Sequence, residues 1–286
     1  MQVRSTKTDL LFLIAAFIFL IVAAMAGRTL FGDTIFVVMP IVASLLVMAV
    51  VLEAYRRLEE DIRASRNRLE AGSFQDYRQI EALLSLQNTL KPSLPFPATR
   101  DWAASPDLLK TITEIILSEK PGLIVEASSG VSTLVAAYCL RQLGKGRVIS
   151  LEHDPKYAAI TRSLIEFHGL QDIATVADAP LKEYRIKDQT WLWYDTNAFT
   201  ADEPADLFVI DGPPSVIQPL ARYPALPLMH DRLAEHAVIV LDDGGREDER
   251  KIMASWNVEF PDLSAEFVDL EKGAFIIRKG GARPNA

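Results

Sequence analysis

The chain has 286 residues, 49% of them hydrophobic, and its 38 acidic against 30 basic side chains leave a net charge of −8. That balance provides no broad basic surface for nucleic acid. The single cysteine, Cys139, excludes an internal disulfide and suits a reducing compartment. The length allows a membrane segment plus one ordinary domain.

Two uncharged apolar runs open the chain, at 10–26 and 34–52. Each approaches the roughly 20 residues that a helix needs to cross a bilayer. Only residues 27–33 separate them, so two transmembrane helices forming a hairpin are expected over 1–53. Arg4 and Lys7 precede the first run, and Arg56, Arg57, Arg63, Arg66 and Arg68 follow the second, with Arg28 between. The positive-inside rule then puts both termini and the following domain in the cytoplasm, with the hairpin in the inner (plasma) membrane. Ala24-Met25-Ala26 also fits the end of a cleaved signal peptide, which would leave the second run as the anchor in the same orientation.

Residues 54–100 read as a linker. Tyr55, Leu58, Ile62 and Leu69 keep a 3-4 spacing, Gly72-Ser73 interrupts it, and Tyr77, Ile80, Leu84 and Gln87 resume it. That pattern fits a short coiled coil, hence a homodimer through 54–90, and equally a single helix packed on the domain. Pro92, Pro95 and Pro97 make 91–100 a stiff, extended connector. Ser105-Pro106-Asp107 predicts a helix start. Serine serves as the cap, proline occupies the first helical position, and aspartate interacts with the helix dipole.

A regular alternation follows over 101–286. Strands are expected at 123–125, 147–151, 173–177, 206–210 and 237–241, and helices at 131–143, 155–168 and 247–256. Helical content is also expected over 220–235, broken at its start by Pro224 and Pro227. Segments 267–270 and 274–277 flank Glu271-Lys272-Gly273 as a closing hairpin. The expected fold class is α/β: a Rossmann-like, doubly wound, mostly parallel sheet with a C-terminal antiparallel hairpin.

Ligands of such sheets bind beyond the carboxyl ends of the strands. The first strand runs into Glu126-Ala127-Ser128-Ser129-Gly130-Val131-Ser132-Thr133, a turn of small residues entering a helix N-terminus with free amide donors. An ordinary strand-to-helix turn would look the same. The lone Gly130 is not the G-x-G-x-x-G of a dinucleotide site, which disfavours NAD. The second strand leads to Glu152, placed either to accept hydrogen bonds from both ribose hydroxyls or to cap the next helix, while His153 lines the site or faces water. The third ends at Asp178-Ala179, where the carboxylate either meets an adenine amino group or forms a plain turn. Two further strands end at Asp211 and at Asp242-Asp243. Arg222 and Tyr223 can reach an acceptor. Trp191, Trp193 and Tyr194 can too, though their alternation fits a half-buried strand.

Residues 100–280 resemble the class I S-adenosylmethionine-dependent methyltransferases, in the small-molecule branch similar to catechol O-methyltransferase. The pattern E-x-G-x-G-x-S is matched by Glu126-Ala127-Ser128-Ser129-Gly130-Val131-Ser132, with Ser128 in place of the first glycine. WAASPD at 102–107, VISLEHDP at 148–155, Ala179-Pro180-Leu181, VIDGPP at 209–214 and Leu241-Asp242-Asp243 support it. The resemblance implies a seven-stranded sheet and methyl transfer to an oxygen, less often a nitrogen. It also implies S-adenosylmethionine held by Glu126, Ser128, Gly130, Ser132, Thr133, Glu152, His153, Asp178 and Ala179. Metal-dependent members hold a divalent ion with Asp, Asp and Asn; here Asp211, Asp242 and Asp243 offer oxygens suited to Mg²⁺ or Ca²⁺. Without metal, Asp211 and Asp242 are the candidate catalytic bases. The hairpin suggests a lipid-linked or membrane-associated acceptor. The second reading is an interaction protein that keeps the fold and binds the donor without catalysis.

Overall fold

The computed structural model describes residues 14–15, 18–19, 21–23, 25–27, 32–100 and 102–280. The described residues of the first apolar run are helical; the rest of that predicted membrane helix lies outside them. The chain divides into two compact units, 1–73 and 74–286.

Helix α1 runs from Ile35 to Leu90. Its apolar part has a mean hydropathy of 3.0 and none of it is buried. Gly72-Ser73, which interrupts the apolar spacing, does not interrupt the helix. A glycine costs a helix only about 1 kcal/mol, and propagation from good helix formers on both sides absorbs it. Arg57, Arg63 and Arg66 pair with Glu53, Glu59 and Glu70 one turn away.

The second compact unit begins at Phe74, within α1. From Phe74 onward the end of α1 buries Gln79, Ala82, Leu86 and Leu90 in the second unit. That face differs from the predicted seam, whose Tyr77, Ile80 and Leu84 are exposed. Gln79 is decisive: its Nε2 donates to Asp107 Oδ2 at 2.8 Å, and the Asp107 amide donates to Gln79 Oε1 at 3.2 Å.

Asp107 opens helix α2 (Pro106–Glu119) and overturns the capping expectation. Ser105 does not cap; its hydroxyl donates to Asp107 Oδ1 at 2.6 Å, and that oxygen also accepts the Leu108 amide. The Glu271 amide donates to Asp107 Oδ2 at 2.8 Å. One buried carboxylate therefore joins the end of α1, the start of α2 and the closing hairpin. Asp107→Ala leaves several buried donors unpaired and is expected to cost about 3 kcal/mol, read as a lower thermal midpoint.

Nine strands follow: β1 (Leu123–Ala127), β2 (Arg147–Glu152), β3 (Ala174–Asp178), β4 (Leu181–Ile186), β5 (Gln189–Tyr194), β6 (Ala205–Ile210), β7 (Leu233–Asp242), β8 (Leu263–Val268) and β9 (Ala274–Lys279). Seven form one sheet in the order β3-β2-β1-β6-β7-β9-β8. The pairs β2–β3, β1–β2, β1–β6 and β6–β7 are parallel, while β9 is antiparallel to β7 and β8. Alternate side chains serve two cores. Ile124, Val148, Leu207 and Val240 pack with α2, α3 (Val131–Leu143) and α4 (Pro155–Phe167). Val125, Leu151, Phe208 and Leu241 pack on the other face with Trp193, Leu226, Ile252 and Trp256. The expected doubly wound sheet and closing hairpin are present.

Two elements differ from expectation. Between β3 and β6, where the alternation would place a crossover helix, stands a separate antiparallel hairpin, β4–β5. Trp191, Trp193 and Tyr194 are its buried residues, so aromatic bulk covers the sheet there in place of a helix. The helical content over 220–235 shrinks to α5 (Ala225–Met229), and β7 begins earlier, at Leu233. Pro224 caps α5, and Pro227 inside it lacks the amide a longer helix would use. The last helix, α6, covers Glu247–Glu259.

Candidate active site

The sheet order changes direction between β1 and β6, which opens a crevice beyond their carboxyl ends. The predicted residues gather around it, with different tasks. Glu126 and Thr133 lie beneath the turn and hold it together. Glu126 Oε2 accepts from Thr133 Oγ1 and Ser150 Oγ, both at 2.6 Å, and Thr133 Oγ1 accepts the Gly130 amide at 3.2 Å. Burial raises the Glu126 pKa against those hydrogen bonds. These two residues, expected to touch the cofactor, are 2% and 0% exposed. A carboxylate this deep serves the hydroxyls beside it.

The turn itself stays accessible. Ser128, Ser129, Gly130 and Ser132 form its partly exposed rim together with buried Val131, and nothing lies within 4 Å of where a side chain on Gly130 would begin. Ser128 has φ +126°, a region that suits glycine and strains serine. Ser128→Gly is expected to stabilise the protein by roughly 1 kcal/mol, the released strain exceeding glycine's extra chain entropy. A thermal midpoint about 2 °C higher checks it.

Glu152 ends β2 and is 5% exposed. It accepts from Ser129 Oγ at 2.9 Å and from the Asp154 amide at 3.0 Å, and His153 Nδ1 lies 3.2 Å away. Burial opposes its charge, yet the nearby His153 ring, the Asp154 amide and Ser129 outweigh burial and lower its pKa. Helix capping falls elsewhere: Asp154 caps α4 by accepting the Lys156 amide. His153 packs edge-on against Tyr194 with ring centres 5.6 Å apart. Asp178 is exposed and bound by Arg162 at 2.7 Å, and the Ala179 amide is spent on the Glu152 carbonyl at 2.8 Å. An adenine at Asp178 would compete with Arg162.

At the ends of β6 and β7, Asp211, Asp242 and Asp243 bring carboxylate oxygens within 4.8 Å of one another. A guanidinium stands among them. Arg222, 4% exposed, donates through Nη2 to Asp211 Oδ1 at 3.1 Å and Asp243 Oδ2 at 2.6 Å, and through Nη1 to the Asp242 carbonyl at 2.7 Å. Arg222 was expected to face an acceptor; instead it is turned inward by this charge. Arg246 reaches Asp243 Oδ2 at 2.8 Å, and Glu249 lies 3.8 Å from Arg222. Burial opposes the Arg222 charge, but Asp211, Asp243, Asp242 and Glu249 together raise its pKa. Burial, then Asp211 and Asp243, push the Asp242 pKa well above the carboxylate range. Asp242 is 2% exposed, while Asp211, whose side chain is 22% exposed, is the carboxylate facing the crevice. Burial raises Asp211 as well, with Arg222 opposing.

Sequence reasoning missed Ser129 as a partner of Glu152, Glu249 as a fourth acid, and the depth of Tyr194. The Tyr194 hydroxyl lies so close to Gly212 that a side chain there would run into it. Burial, then Glu152 and Asp211, raise its pKa well above the ordinary tyrosine value, which keeps it neutral. Only the third place of Glu249 in its helix could have hinted at an inward acid.

A family model described as a methyltransferase domain matches residues 127–244. No curated protein matches the chain. Among solved structures, the chain is similar to the O-methyltransferase TomG from Streptomyces achromogenes, solved in complex with S-adenosylmethionine. The TM-score is 0.51 at 17% identity, covering 73% of this chain and 96% of TomG. It is also similar to the S-adenosylhomocysteine-bound methyltransferase PaMTH1 from Podospora anserina, with a TM-score of 0.50 at 17% identity, covering 69% of this chain and 87% of that one. The fold is that of the class I methyltransferases. The chain carries a methyltransferase domain.

Proposed function

We propose that this domain transfers the methyl group of S-adenosylmethionine to an oxygen, less readily to a nitrogen, of an acceptor met at a membrane. One observation carries the reading: Glu152, held charged by its neighbours, stands one strand away from the open small-residue turn at the switch point. A carboxylate there suits the two ribose hydroxyls, and the turn admits the donor's methionine part. As the S–CH₃ bond breaks and the O–CH₃ bond forms, sulfur becomes a neutral thioether and the acceptor's proton passes to Asp211. The donor is already activated, so the residues chiefly align the reacting atoms and exclude water.

The unburied apolar stretch of α1 supports a membrane anchor, and the basic residues after it support an inner-membrane, cytoplasm-facing placement. Exposed Tyr55, Leu58, Ile62 and Leu69, and exposed Tyr77, Ile80 and Leu84, support self-association along 54–90. The test is calorimetric titration of the full chain in detergent with S-adenosylmethionine, followed by transfer of labelled methyl to lipid extracts and to soluble hydroxyl acceptors. Micromolar binding with transfer is expected. A folded protein that binds no donor would favour the non-catalytic interaction protein, and equal transfer to soluble acceptors would remove the membrane-bound acceptor.

A further inference from the structure

We propose that Arg222 occupies the place of a divalent cation among Asp211, Asp242 and Asp243, so that this site works without a metal ion. The inference rests on the methyltransferase reading only for what the cluster serves; the ion pairing is a property of the residues themselves. A metal held by three carboxylates would take oxygens from the groups that Arg222 already binds at 2.6 and 3.1 Å. Two cations in such contact repel strongly, more so away from water. Mg²⁺ also keeps several of its own waters, while Asp242 and Asp243 are only 2% and 3% exposed.

The arginine is built in. The Leu220 amide donates to Asp248 Oδ2 at 3.1 Å, Trp256 Nε1 donates to the Tyr223 carbonyl at 3.1 Å, and the Ala225 amide donates to the Arg222 carbonyl at 3.1 Å. The backbone on both sides of Arg222 is thereby fixed, and its fork reaches two carboxylates and a carbonyl at once, which a lysine's point charge could not reproduce. Asp242 Oδ2 and Asp243 Oδ1 have no hydrogen-bond partner among the described residues. These are the oxygens that a cation would find once the guanidinium is removed.

The experiment titrates the full chain in detergent with MgCl₂ and with CaCl₂, by calorimetry and by thermal unfolding, for the wild type, Arg222→Met and Arg222→Lys. Neither readout needs methyl transfer, so the result stands apart from the fate of the functional reading. The wild type is expected to show no saturable metal binding, and its donor affinity is expected to be unchanged by EDTA. Arg222→Met is expected to gain saturable binding, with a midpoint rise of roughly 5 °C at about 100 times the dissociation constant. Arg222→Lys is expected to unfold earlier than the wild type and to gain no metal. Stoichiometric Mg²⁺ or Ca²⁺ binding by the wild type overturns the proposal. So does a folded Arg222→Met that binds neither ion. If Arg222→Met folds only with metal added, the proposal is supported, and if it does not fold at all the wild-type titration decides.

Discussion

Glu152→Ala is expected to weaken S-adenosylmethionine binding by at least about 100-fold. Two hydrogen bonds from ribose hydroxyls to a charged acceptor are worth roughly 3 kcal/mol together, which is about that factor. Glu152→Gln keeps the shape and one acceptor oxygen and should fall between, near 10-fold. Calorimetry on the full chain reads both. The sign of the pH dependence follows from the lowered pKa of this carboxyl. It stays charged through the ordinary glutamate range, so donor affinity should be flat from about pH 8 to about pH 5 and fall only below that. Its contribution to folding has the same sense, present above the unfolded-state pKa and lost as pH falls through the lower folded one. A drop in affinity centred near pH 6 would assign the ribose contact to another group.

Arg222→Met is expected to be the most destabilising single change at the site, at about 3–5 kcal/mol, because it leaves buried carboxylates without their cation. In a unit of this size that lowers the midpoint by roughly 10 °C. The loss should shrink in acid. Asp242 and Asp211 already have raised pKa values, and removing the opposing guanidinium raises them further. A carboxyl with a raised folded pKa favours the native state below its unfolded pKa and loses that advantage as pH rises through the folded one. The gap between variant and wild type should therefore narrow between about pH 8 and pH 5 in thermal unfolding. A gap independent of pH would mean that the cost is lost packing of the arginine stem and not the unpaired charge.

Much of the fold was legible because its signals are local. The apolar strands at 123–127, 147–152 and 205–210 and the helices at 131–143 and 155–167 lie close to their expected positions. The short runs of Val, Ile and Leu alternate with 3.6-period stripes, and a parallel sheet buried on both faces requires that alternation. The β4–β5 hairpin was half legible. Trp191, Trp193 and Tyr194 announced a strand, but the pairing of Leu181 with Tyr194 involves a mixed, charged partner strand with no period of its own. The site's carboxylates were legible as strand-end acids, while their neighbours were not. Nothing near Glu152 in sequence announces Ser129, 23 residues earlier, as the hydroxyl that donates to it.

The sequence by itself determined a charge-free apolar entry, a doubly wound sheet and the set of acids at its carboxyl edge. Period, capping residues and turn residues act over a few positions and need no distant partner. Only the tertiary structure decided which acids are buried side by side and which cation answers them. Arg222 meets Asp243 across 21 positions, and Gln79 meets Asp107 across 28. The protonation of a buried carboxyl depends on every charge packed within a few ångströms, and those charges come from separate elements that only the folded sheet brings together.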